Sequence, residues 1–329
     1  MEYRLKSRSW GLAFLTLLLV LFCEYSIAQH GPYPNRPIKI IIPFPPGNTT
    51  DIITRLIAPK LQERLGQSII VENKAGGSGT IGMDYVAKSK PDGYTIVASQ
   101  GGNMVVLPHT SKNMTYNPIT DFTSIALTTY NYQVITANNQ APFKTFSQMI
   151  EWAKANPGQL TVASNGEGGF PHLVFEHLAK TAGITFTHVP YKGSSQISTD
   201  LIGGQVMTSV DGVSGPAPQI RSGAIRLLAI SNKSKVSEWP NTPTVSETIP
   251  GWTSNGWFAY SGPAGMPKDI VRKLNLEINR AMNAPEVIEQ LKPYGLEVVS
   301  ESSEYFDRVL RDDYAKYGKL VKDISYIPH

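Results

Sequence analysis

Short β-branched runs alternate with single amphipathic helical segments along most of this chain, and that alternation permits few folds. Ile38–Phe44, Ile69–Val71 and Tyr94–Ser99 read as strands, with helices predicted over Asp51–Leu65 and Thr80–Lys88. In the first helix Ile52, Ile53, Leu56, Ile57, Leu61 and Leu65 share one face, and Pro59 inside it predicts a kink. Strands separated by single helices pair in parallel through right-handed crossovers. The fold class is therefore α/β.

The rhythm breaks at Ser124–Ala137, "SIALTTYNYQVITA", which is too long for one such strand. It resumes with a helix near Thr145–Ala155, a strand Leu160–Ser164, a helix Pro171–Thr181, a strand Thr185–Tyr191 and a helix Ser195–Ile202. Strands at Val206–Asp211 and Ile225–Ser231 complete this second run. Gly251–Pro267 is again extended, and the chain closes in helices over Lys268–Ala284, Glu286–Lys292 and Ser303–Lys322. Two α/β modules joined by two crossing segments follow, with the terminal helices returning to the first module. The expected division is 29–129 with 252–329 as lobe I and 130–251 as lobe II.

Residues 1–28 are set apart from both. Arg4, Lys6 and Arg8 precede an apolar run from Leu12 to Phe22, and Ser26-Ile27-Ala28 forms a small-x-small site. That is the layout of a secretory signal, with an apolar run too short to span a bilayer. The single cysteine, Cys23, lies inside it, so the exported part is expected to lack disulfides and thiolate ligands. The whole chain carries +4; the signal holds three basic and two acidic residues, leaving +4 minus +1, or +3. Lysines and arginines are scattered, which excludes the basic stripe of a nucleic-acid binder.

Two loops stand out. "PFPPGNTTD", Pro43–Asp51, leaves a buried strand and opens a helix; Gly47 frees its backbone, and Asp51 is placed to cap the helix or sit in its first turn. "SNGEGGFPHL", Ser164–Leu173, repeats the arrangement in the second module. Free N–H groups and the positive end of the helix dipole make such termini anion sites. One loop from each lobe suggests a cleft that closes on a small anion.

Other motifs lose their force on inspection. Gly77–Gly82 matches G-x-G-x-x-G, but the next strand ends in Ser99-Gln100 without the acidic residue a dinucleotide needs about 20 positions on. A helix-opening turn is the better reading, and no cofactor is expected. His172, Glu176 and His177 do not keep the inverted zincin spacing, and histidines five apart diverge by about 140° on a helix, so no metal site is predicted. Ser214 lacks the second glycine of a nucleophile elbow. Asp211 ends a strand and suits either a base or a ligand-holding residue. No nucleophile–base set is assembled, so no catalytic residue is expected.

The stretches "YPNRPIKIIIPFPPG", "RLIAPKLQERLGQSIIVENKAGGSGTIG", "KPDGYTI", "HVPYKGSS" and "DLIGGQV", in this order, cover the chain beyond the signal. Through them the chain resembles the Bug-type periplasmic solute receptors of tripartite tricarboxylate transporters. The resemblance implies a two-lobed periplasmic-binding-protein fold of type II character that closes on a small organic acid. It also implies a monomer delivering its ligand to membrane transporter subunits, or reporting it to a sensor kinase without transport; an exported hydrolase is the remaining alternative. Phe44, Gly47, Asn48, Thr49 and Asp51 match the first-lobe ligand loop, with Asn48 replacing a common glycine and predicting a tighter loop or an extra hydrogen bond. Ser164, Asn165, Gly168 and Phe170 match the second. Ser99, Tyr191 and Asp211, at predicted strand ends, complete the expected ligand set. Glu167 either meets the far end of the ligand or points to solvent.

Overall fold

The computed structural model describes residues 32–236 and 238–327; the expected export signal lies outside them. The strands are β1 (Ile38–Ile42), β2 (Ile69–Asn73), β3 (Thr95–Gln100), β4 (Phe122–Ala137), β5 (Leu160–Asn165), β6 (Phe186–Tyr191), β7 (Thr208–Gly212), β8 (Arg226–Ile230), β9 (Asn255–Pro263) and β10 (Glu297–Val298). They run in the order β2-β1-β3-β9-β4-β7-β5-β6, with β8 and β10 attached to β4.

Each half of this sheet has a parallel core. β1 lies between β2 and β3, and β5 between β6 and β7. The long strand β4 belongs to both halves. Its residues up to Tyr132 pair antiparallel with β9, and from Gln133 onward it pairs antiparallel with β7 and β8. The partner changes between adjacent residues, which is why the sequence reads too long for a single strand there. Ser231 fastens the second crossing beside the first: its N–H donates to Gln133 O at 2.9 Å, and its Oγ accepts from Gln133 N at 2.7 Å. Ser254 N then donates to Ser231 O at 3.2 Å.

β1 shows why the strands are nearly continuous in apolar residues. Ile38, Ile40 and Ile42 pack into one core with Ile53, Ile57 and Leu61, while Ile41 enters the core on the opposite face. A strand covered on both faces has no solvent side to spend on polar residues. Helix α1, Thr49–Leu65, runs through Pro59 as a single element and ends on Gly66 in the left-handed conformation. The predicted helix at Thr80 is α2, Thr80–Ala87, opened by a 3-10 turn at Gly77–Gly79.

The segment after β3 is absent from the sequence expectation. After β3 the chain forms a π-helical turn at Gly102–Val106 that continues as α3, Leu107–Thr110. Gly101, Gly102 and Pro108 are helix breakers in isolation, and tertiary contacts override them. Met104, Val105 and Val106 are buried, and the Tyr116 hydroxyl donates to Asn103 O at 2.5 Å. Helices α4 (Phe146–Ala155), α5 (Phe170–Ala182) and α6 (Ser194–Ile202) match expectation to within a residue or two, whereas the short α7 (Ala217–Arg221) and α8 (Val245–Thr248) are additional. Among the terminal helices, α9 (Lys268–Met282) packs on α1 and β4, and α10 (Pro285–Leu291) follows it. The last, α11 (Ser303–Asp323), covers β4 and the π-helical turn and also touches α5.

Candidate ligand-binding site

The carboxyl ends of β1, β3, β5, β6 and β7 open on a common cleft of about 900 Å³, walled at its back by residues of β4 and β9. In open α/β sheets this is where ligands lie, because loops there lead into helix N-termini.

From β1 the loop contributes Phe44, Gly47, Asn48 and Thr49 to the cleft. Gly47 has φ of 82°, a left-handed conformation that glycine adopts without strain. Asn48 is the N-cap of α1, and its Oδ1 accepts from Thr50 N at 2.8 Å. Asp51 therefore falls in the first turn and does not line the cleft. Its Oδ2 accepts from Gly47 N at 3.0 Å, and its Oδ1 from Arg55 Nε at 2.9 Å and Asn73 Nδ2 at 3.0 Å. Burial raises its pKa, but the Gly47 N–H, Asn73 and Arg55 outweigh burial and hold it below the usual carboxylate range. Asp51 ties the loop to the helix from behind.

The loop after β5 brings Asn165, Gly168 and Phe170 to the cleft, with Glu167 exposed at the rim. Asn165 Nδ2 donates to Asp211 Oδ1 at 2.6 Å and to Ser194 Oγ at 3.2 Å. Gly168 N donates backwards to His172 Nδ1 at 3.0 Å, and the Phe170 ring packs against Tyr317 at 5.2 Å between centroids. Ser164 does not reach the cleft. It is fully buried, and its Oγ is 2.7 Å from His188 Nε2. Burial first, and then the neighbouring His172, push His188 down to about 4.

The remaining strand-end residues divide. Asp211 lines the cleft and is buried. Ser99 points to β9, with its Oγ donating to Ala259 O at 3.4 Å. The Tyr191 hydroxyl donates to Asp200 Oδ2 at 2.7 Å in a separate side depression. For both, the side-chain direction at the strand's end was not legible from position. The cleft also contains groups not expected as ligand contacts: Asn131 and Gln133 of β4, Asn103 of the π-helical turn, Lys192–Ser195 after β6, and Ser214 after β7, which the sequence offered only as a nucleophile. A glycine-bearing turn after a strand is common to Gly101-Gly102 and "KGSS", and that signal would have flagged two of these segments.

Electrostatically the cleft is almost uncharged. Among the described residues its ionisable lining groups are Glu167, Lys192, Asp211 and Tyr294, with no arginine. Helices α5 and α6 have Gly169 and Gly193 as N-caps and no side-chain cap, so their first-turn N–H groups, Pro171 having none, remain available at the cleft. Together with the start of α1, they aim three positive dipole ends into one space. Thr49 Oγ1 and Ser214 Oγ meet at 3.1 Å across it.

A curled α/β sheet split by one long strand, with helix termini converging on an interlobe cleft, defines the class of periplasmic solute-binding proteins. The sequence model of the tripartite tricarboxylate transporter family receptor matches residues 53–326, and the chain belongs to that family. Protein BugT of Bordetella pertussis is 32% identical over 293 residues, 88% of this chain and 90% of that one. A solved structure of the periplasmic binding protein BugD superposes with a TM-score of 0.78 at 30% identity, covering 90% of this chain and 100% of that one. An R. palustris protein solved with adipate gives a TM-score of 0.81 at 30% identity, over 90% of this chain and 100% of its own.

Proposed function

We propose that this chain is an exported receptor that captures a small organic carboxylate in its interlobe cleft and delivers it to a tripartite tricarboxylate-type transporter in the membrane. The observation that carries this reading is the convergence of three helix N-termini on a cleft that no arginine lines among the described residues. Backbone donors and dipole ends hold an anion with little desolvated charge on the protein side, which suits reversible capture and release. The adipate held by the R. palustris relative is a carboxylate of the expected size class, and a cleft of about 900 Å³ lies within the usual range for small-molecule sites.

In this reading Phe44, Gly47, Asn48, Thr49, Asn165, Gly168, Phe170 and Asp211 meet the ligand, while Asp51 and Ser164 hold the loops behind it. Lobe I comprises 29–129 and 252–329 and lobe II 130–251, with bending at Tyr132–Gln133 of β4 and at the Ser231–Ser254 crossing. The signal is removed on export, and the receptor works as a periplasmic monomer that binds without turning its ligand over.

The test is a thermal-shift panel of mono-, di- and tricarboxylates, amino acids and aromatic acids. A true ligand at ~100 times its Kd raises stability by about 2.7 kcal/mol. A flat response across all acids overturns the proposal.

A further inference from the structure

Helix α2 is apolar on two sides. Met83 and Val86 are fully buried, yet Ile81 and Tyr85, four residues apart on another face, are 56% and 40% exposed. A surface helix ordinarily turns charge to solvent. Ile70 of β2, 47% exposed, extends the patch: it stands in register beside Lys39, whose ammonium is held first by Glu72 and then by Tyr85. Lys74 Nζ lies 4.6 Å from the centroid of the Tyr85 ring. Among the described residues the other exposed large apolar side chains, Ile202, Leu276 and Ile327, belong to separate parts of the chain, and single exposed residues of this kind need no explanation.

The patch borders the cleft. Gly77, Ser78 and Thr80, at the start of α2, line it. Gly82 presses the same helix onto the root of the first-lobe loop: a Cβ there would lie 2.8 Å from Pro43 Cα and 2.9 Å from Lys74 O. Packing that close makes α2 and the loop root move together. The rim of the patch carries an excess of one positive charge. Glu72 serves both Lys39, at 3.0 Å, and Lys74, at 2.6 Å, whereas Lys88 is matched by Asp84 at 2.8 Å.

We infer that Ile70, Ile81 and Tyr85 form the surface on which a membrane subunit of the transporter docks, through an apolar segment whose carboxylate completes the Lys39–Glu72–Lys74 cluster. This rests on the delivery reading above and adds the place and chemistry of the contact. A second copy of the chain is the poorer occupant. Three apolar side chains are far fewer than the roughly 20–30 residues per side of a stable interface, and two copies would bring like charge to like charge. A brief contact beside the mouth of the cleft is what handing over a ligand requires.

The experiment uses single-cysteine variants of the full exported chain, which has no cysteine of its own once the signal holding Cys23 is removed. Ile70→Cys, Ile81→Cys and Tyr85→Cys, with Ile202→Cys and Leu276→Cys as controls on other elements, each receive a benzophenone maleimide. They are irradiated with membranes containing the transporter, with and without the mixed acids of the thermal-shift panel. The patch positions should give adducts that peptide mass spectrometry identifies as a membrane subunit, at least about tenfold above the controls, and adding Ile81→Glu or Lys74→Glu to the Tyr85→Cys chain should lower its yield about tenfold. Both substituted chains should keep the parent's thermal-shift response to acids; loss of that response would make the patch part of the ligand site and overturn the inference. Membrane-subunit adducts from the control positions alone, or parent-like yields in either substituted chain, overturn it and leave delivery to a transporter standing. Adducts only with a second receptor, or none with a membrane subunit from any position, overturn both.

Discussion

His172 and His188 stack face to face behind the second-lobe loop, with ring centroids 3.7 Å apart and planes within 7° of each other. One ring reaches forward to each end of the loop's base. His172 Nδ1 accepts from Gly168 N at 3.0 Å, and His188 Nε2 lies 2.7 Å from Ser164 Oγ. The pair that looked like a fragment of a metal motif in the sequence is thus divided: His172 braces the loop, and its partner is supplied by β6. His177 instead stacks on Trp252 at 5.9 Å.

The first prediction follows from His188, whose folded pKa is about 4 because burial and His172 disfavour its charged form. An unfolded histidine titrates near 6.5, so between pH 6.5 and 4 the unfolded chain binds the extra proton. Stability is therefore fully present above pH 6.5 and declines as pH falls towards 4. For this half-buried ring, screened by solvent, the loss is about 1–2 kcal/mol. Urea unfolding at pH 7 and pH 4.5 should show a smaller pH-dependent loss in His188→Gln than in the parent; equal losses would refute the assignment.

Replacing His172 by phenylalanine keeps an aromatic ring for the stack but removes the acceptor for Gly168 N. A buried N–H left unmet costs about 1–3 kcal/mol. Chemical denaturation should register that loss, and affinity for any ligand found in the panel should fall with it because Gly168 lines the cleft. Unchanged affinity would detach the loop from binding.

Gly47 combines φ of 82° with open space around a built Cβ. A Cβ there meets no other atom within 4 Å, yet the left-handed backbone strains a β-branched residue by about 1–2 kcal/mol or more. Gly47→Val should therefore lower both stability and affinity. Parent-like affinity in the folded variant would remove this loop from the site.

Burial raises Asp211 to about 7, with the Ser194 hydroxyl and Gly212 N–H only partly opposing it. Since an unfolded aspartate titrates near 3.9, the folded state holds the extra proton between these values. The contribution to stability is fully present below pH 3.9 and is lost as pH rises to 7. Without ligand, Asp211→Asn should thus be more stable than the parent at pH 8, by ~2 kcal/mol or more, with the gain fading as pH falls below 4. Such a gain beside weakened binding would be the usual exchange of stability for function; a less stable variant at pH 8 would contradict it.

Thr49 Oγ1 and Ser214 Oγ, 3.1 Å apart, join the start of α1 to the turn after β7. If closure brings these hydroxyls together, Ser214→Ala should weaken ligand binding by the value of one hydrogen bond, about 0.5–1.5 kcal/mol or roughly 2- to 12-fold. Scattering profiles of the parent should contract on saturation with ligand. Identical profiles with and without ligand would argue against closure.

Much of the fold was written locally. Alternate isoleucines in β1, the spacing of Ile53, Ile57 and Leu61 in α1, and the overlong run through β4 each depend on near neighbours and on a period of two or 3.6. The two glycine-bearing loops were legible for the same reason: a turn that frees N–H groups before a helix is a local object. What the chain could not disclose from its order was which side chains face which space. Ser99 and Tyr191 both sit at strand ends, but the neighbouring β9 claims one and Asp200 the other. Asp211 lies far in sequence from Asn131 and Gln133 of β4, and they meet only because β4 pairs with β7 as well as with β9. The π-helical turn at Gly102 goes against local propensity and is held by burial against α11. Periodicity sets which face of an element is apolar; strand order and register decide what stands opposite that face, and the chemistry of the cleft belongs to that second level.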